Sequence, residues 1–97
     1  MKNHFYRLTI EHLADKDGNE TGANPLVFEK GMHDDLFKII DAMKSKALLD
    51  EGDTIAFVTG LKLFGEILLK NPDNALFQQF KPQFASFMKE LKSGSGS

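Results

Sequence analysis

The residues able to do chemistry in this sequence are few, and their spacing argues against most of it. His4, His12 and His33 are the three histidines. On one straight strand His4 and His12 would stand about 26 Å apart at a rise of ~3.3 Å per residue, too far to share a metal. Glu11-His12 and His33-Asp34-Asp35 are the only local groups of metal-type ligands, and neither has the spacing of a known metal site. They read as a strand-end residue and a helix cap. Asp15, Asp17, Asn19 and Glu20 alternate like the oxygen ligands of calcium. Counting from Asp15, however, puts Glu20 where an EF-hand loop needs glycine and Leu26 where it needs glutamate. A turn rich in Asp, Asn and Gly accounts for them better.

Nucleophilic and phosphate chemistry fare no better. No serine sits in a Gly-x-Ser-x-Gly elbow, and Thr59-Gly60-Leu61-Lys62 lacks the first glycine of a phosphate loop. The paired carboxylates Asp34-Asp35 and Asp50-Glu51 fall at expected helix starts, where the positive end of the helix dipole explains them. The sequence contains no cysteine, which excludes disulfides, thiolate zinc sites and cysteine nucleophiles. The expectation is a protein that is not an enzyme, with no metal and no cofactor. An enzyme with an unrecognised site is the weakest alternative, and it requires a deep pocket around a perturbed group, His12 or His33.

The elements that position these residues follow from periodicity. Phe5 to Glu11 alternates with Tyr6, Leu8 and Ile10 on one side, and only Phe5 interrupts the polar side, so a strand with one buried face is expected. Asp17-Gly18 begins a reversal that runs to Pro25. Leu26 to Glu29 is a second short strand, with Leu26 and Phe28 facing the first. A helix capped by His33 or Asp34 carries Leu36, Ile39, Ile40 and Met43 at spacings of three and four and fades near Ala47. Asp53 is the expected cap of a second helix, striped by Phe57, Leu61, Phe64 and Leu68 with Val58 and Gly65 alongside. Its Gly60 and Gly65 admit either a closely approaching neighbour or simple tolerance. Asn71-Pro72-Asp73 ends that helix, and Asp73 or Asn74 starts a third with a seam of Phe77, Phe80, Phe84, Phe87 and Leu91. Pro82 lies within this helix, so a kink or a break is expected there. The fold class is α+β, a two-stranded antiparallel hairpin followed by and packed on three helices, in the order β-β-α-α-α. One domain spans residues 1–92, and residues 93–97 have the composition of a glycine-serine linker.

Composition bounds the rest. The 97 residues hold nine Phe and no Trp, are 41% apolar, and carry 12 basic against 14 acidic residues. One core of mostly phenylalanine is feasible at this length, and disorder is not indicated. The near-balanced charge offers no field for nucleic acid, and no apolar run approaches a membrane span. A cytoplasmic location is expected, with no nucleic-acid and no membrane partner.

Three stretches together carry a resemblance: Phe5 to Ala14, His33-Asp34-Asp35-Leu36-Phe37, and Gly60 to Asn71, of which Gly60-Leu61-Lys62-Leu63-Phe64-Gly65-Glu66 is the most specific. They resemble a small bacterial family of uncharacterised proteins, described as a domain of unknown function. The resemblance covers nearly all of residues 1–92 and implies no activity, cofactor or catalytic residue.

What is left is a surface. The apolar residues surplus to the expected core are Phe5, Leu76 and Phe77, and these are the candidate residues for binding a protein partner or for self-association. The open edge of a two-stranded sheet is a second route to self-association. The leading expectation is therefore a small non-enzymatic domain acting through protein-protein contacts. Its alternative is an engineered binder built on a natural scaffold of this family, marked by the glycine-serine tail and by residues that break local rules. Pro72, Pro82 and Ala47-Leu48-Leu49 are the places where such breaks would stand.

Overall fold

A computed structural model describes residues 3–94, with the side chains of Ser93 and Gly94 outside the description. The chain runs β1 (His4–Ile10), β2 (Leu26–Met32), α1 (Leu36–Lys46), α2 (Glu51–Lys70) and α3 (Ala75–Gly94), an α+β fold in the expected order β-β-α-α-α. Most of the expected spacer, Ser95 to Ser97, lies outside the described residues. The chain divides into two compact units, Met1–Asp34 and Asp35–Ser97.

In the first unit β1 and β2 pair antiparallel, with Leu8 opposite Phe28 and Ile10 opposite Leu26, so the apolar side chains fall on one face as alternation requires. The opposite face carries Arg7 across from Glu29, joined at 2.8 Å between exposed side chains. An ion pair so exposed contributes at most about 1 kcal/mol. β2 continues past Glu29, the end of the expected strand, to Met32, although Gly31 by itself weakens a strand. The reason is Phe5, directly opposite Gly31, whose ring comes within 3.1 Å of where a Cβ would stand. The ring covers the bare backbone and supplies the packing that glycine lacks.

The connection between the strands is organised by Asp15. Its carboxylate accepts from the backbone N–H of Asp17 and of Asn19, both at 2.9 Å, while Gly18 adopts φ 87°. Those backbone bonds hold the Asp15 carboxyl below its ordinary value. Thr21 Oγ1 donates to the carbonyl of His12, closing the loop further along.

In the second unit the helix starts differ from expectation, by one or two residues at α1 and by three at α2. Asp35, rather than His33 or Asp34, caps α1, its side chain accepting from the N–H of Phe37 and Lys38. Asp50, rather than Asp53, caps α2, accepting from the N–H of Asp53 at 2.8 Å. In both cases several acidic residues compete, and the one with extended backbone two or three residues before a free N–H takes the position. Asp53 then lies in the first turn, where its charge favours the dipole. α1 ends at Ala47 in the left-handed region, φ 54°, a place usually taken by glycine. Asn74 caps α3 through the N–H of Leu76. α3 is one unbroken helix with Pro82 inside it, so the break considered from the sequence does not occur.

α2 is apolar on nearly every side and has residues buried on several, among them Thr54, Val58, Glu66 and Leu68. Its neighbours in this unit cover part of it, and Ile55, Phe64 and Leu69 stay exposed. α1 packs on it through Leu36 and Met43, which are buried. α3 meets it through rings: Phe57 with Phe87, and Phe64 with Phe77, Phe80 and Phe84, at centroid separations of 5.5 to 6.5 Å. Several of these pairs are edge-on, the favourable arrangement for aromatic quadrupoles. Gly65 is where Phe84 enters, its ring 3.4 Å from the position of an added Cβ, whereas Gly60 has nothing within 4 Å.

Candidate interaction surface

The chemistry-bearing residues do not converge. Among the described residues no group of three His, Asp or Glu side chains could hold a metal ion. His12 lines an open groove of about 370 Å³ in the first unit with Glu11 and Glu20, and His33 is exposed. No helix of the described residues is long and apolar enough to cross a membrane.

Sequence reasoning passed over Glu66, which is only 5% exposed within α2. No buried side-chain oxygen or nitrogen among the described residues lacks a hydrogen-bond partner. A lone Glu in an apolar helix gives no sequence signal of burial, because glutamate is usually exposed.

The three expected surface residues part company. Phe5 is exposed yet occupied with Gly31. Phe77 is half-buried and turns inward onto Phe64. Leu76, one residue earlier, points the other way and is 70% exposed. At 3.6 residues per turn, Leu76, Phe80 and Phe87 fall within a sector of about 40° on α3, along one flank of the phenylalanine seam. Phe80 is 43% exposed, Phe87 47%, and Phe64 of α2, in contact with Phe80, 38%. Among the described side chains of α3 none is buried. The seam is thus wider than α2 can cover, and its outer flank is an apolar strip bordered by Gln79, Gln83 and Ser86. The signal for it was present in the sequence as the intervals from Leu76 to Phe80, Phe87 and Leu91, although the reading assigned all but Leu76 and Phe77 to the core.

At the C-terminal end of the strip a cavity of about 340 Å³ opens among Met43, Leu48, Leu49, Thr54, Phe57 and Leu91. Its one polar side chain, Thr54, already donates to the Asp50 carbonyl at 2.8 Å. The cavity can receive apolar matter and holds no titratable side chain.

These features define a small α+β domain with an apolar strip along α3. The DUF3861 family model, a domain of unknown function with a solved structure, matches residues 4–93, and the chain belongs to that family. It is similar to a protein of unknown function from Pectobacterium atrosepticum known from a crystal structure: 36% identity, TM-score 0.81, over 93% of this chain and 97% of that one. Comparison with curated proteins gives no match.

Proposed function

We propose that this chain is a non-enzymatic cytoplasmic domain that works by binding a protein through the outer flank of α3. The observation that carries this reading is the strip Leu76, Phe80 and Phe87 with Phe64, apolar side chains in one row that the helical unit's own core leaves in water. Apolar rows bordered by Gln and Ser, with Glu90 the single charge along the border, have the composition of an interface centre. A catalytic reading has less support, since the apolar cavity offers no acid or base and its Thr54 hydroxyl is engaged with the Asp50 carbonyl, while His12, Glu11 and Glu20 line an open groove rather than a deep pocket.

The test replaces Leu76 by the photo-crosslinking amino acid p-benzoylphenylalanine, with exposed Lys38 on α1 as the control position. Illumination in cells is expected to give a discrete protein adduct from position 76 and none from position 38. Equal or absent adducts at both positions would sink the reading.

An engineered binder on this scaffold is a second reading, favoured by Ala47 in the left-handed region and Pro82 inside a continuous helix. Both break a local rule with no evident structural return. The same crosslinking experiment then captures the target of the design.

A further inference from the structure

We infer that the partner of the α3 flank is a second copy of this chain, bound about a two-fold axis with the two α3 helices antiparallel. The inference rests on the interaction reading above and adds the identity of the partner.

The argument begins with the order of the strip. From Leu76 to Phe80, to Phe87, to Leu91 the intervals are four, seven and four, the same read in either direction. An antiparallel copy centred between Gln83 and Phe84 therefore sets Leu76 against Leu91 of the other molecule, and Phe80 against its Phe87. Every contact occurs twice, as an isologous interface demands.

The shape of the surface agrees. Leu76 is the projecting side chain at one end, and the cavity lined by Leu91, Phe57, Met43, Leu48 and Leu49 is the receiving hollow at the other. The antiparallel arrangement brings each projecting Leu76 to the other copy's cavity, which at about 340 Å³ has room for it. Charge does not oppose the contact, since Glu90 is the only charged residue on this sector of the helix between Leu76 and Leu91.

The area is sufficient. The exposed parts of Leu76, Phe80, Phe87 and Phe64 amount to about 350 Å² of apolar surface per molecule, and with the Gln and Ser border a pair closes roughly 1,000–1,200 Å² in total. That lies at the threshold of a specific interface, and it predicts a reversible dimer with a Kd on the order of micromolar.

The closing experiment is sedimentation equilibrium from micromolar to millimolar protein, combined with single-cysteine crosslinking, which is unambiguous because the chain has no cysteine of its own. The wild type is expected to dimerise. Gln83→Cys, beside the axis, is expected to form a disulfide-linked dimer under mild oxidation, and Lys38→Cys is not. Leu76→Glu places two charges in the symmetric contact and is expected to raise the Kd about a hundredfold or more. Its helical circular dichroism should be unchanged, since Leu76 is mostly exposed. A wild-type monomer throughout the range overturns the second copy. Adduct formation from position 76 with a different protein then leaves the interaction reading standing, and the absence of any such adduct removes both. A dimer that survives Leu76→Glu and leaves Gln83→Cys unlinked also overturns the proposal, because it uses another face.

Discussion

Asp15 and Ala47 show how much of the local structure is decided by one residue at a time. Asp15 closes the hairpin connection because its carboxylate, when ionised, accepts from two backbone N–H groups, and the same bonds lower its pKa from the ordinary 3.8. A group whose folded pKa is depressed contributes stability above the unfolded value and loses it as pH falls through the folded one. The loop is therefore expected to keep its form down to pH values below 3.8 and then to open. An NMR titration that follows the Asp15 carboxyl carbon with the amides of Asp17 and Asn19 reads this directly, and an Asp15 midpoint above 3.8 would contradict it. Ala47 is a residue with a Cβ held at φ 54°. Left-handed geometry costs an L-residue about 1–2 kcal/mol, part of which glycine returns through its greater freedom when unfolded. Ala47→Gly is expected to stabilise the protein by about 0.5–1 kcal/mol, measured as a higher urea midpoint at unchanged slope.

Among the elements, α2 carries the most information, because its two glycines look alike in sequence and differ in the structure. Gly65 takes the Phe84 ring, whereas a Cβ at Gly60 would meet nothing within 4 Å. Gly60→Ala should therefore recover the helix propensity that glycine gives up, about 0.5–1 kcal/mol. A bulky change at Gly65, such as Gly65→Leu, should instead push Phe84 off the helix and cost about 1–3 kcal/mol. Thermal melts of the two variants are expected to move in opposite directions, and parallel shifts would mean that the ring does not use the glycine. β2 teaches the same lesson through Gly31: a glycine ends a strand in a local reading, but a phenylalanine across the pair lets the strand continue.

For the whole molecule, self-association and stability are linked. A partner that binds only the folded chain stabilises it by mass action, so a dimer built on α3 makes the melting temperature rise with protein concentration. The wild type is expected to show that dependence and Leu76→Glu to lose it. Membership of the DUF3861 family and the likeness to the Pectobacterium protein cover nearly the full chain, so the fold is shared with that protein.

The sequence by itself determined the element order, the apolar faces of the two strands, the apolar positions of α1 and the phenylalanine seam. These follow from periodicities of two and 3.6, which are local properties of the chain. It placed the caps of α1 and α2 at His33 or Asp34 and at Asp53, where the structure has Asp35 and Asp50, since that choice depends on which residue's backbone is extended at the helix start. Only the tertiary structure decided that Phe77 faces Phe64 while Leu76 faces water, that Glu66 is buried, and that Gly65 and Gly60 play different parts. Each of those depends on how far a neighbouring element's side chains reach, and periodicity along one chain says which residues share a face without saying how much of that face a neighbour covers.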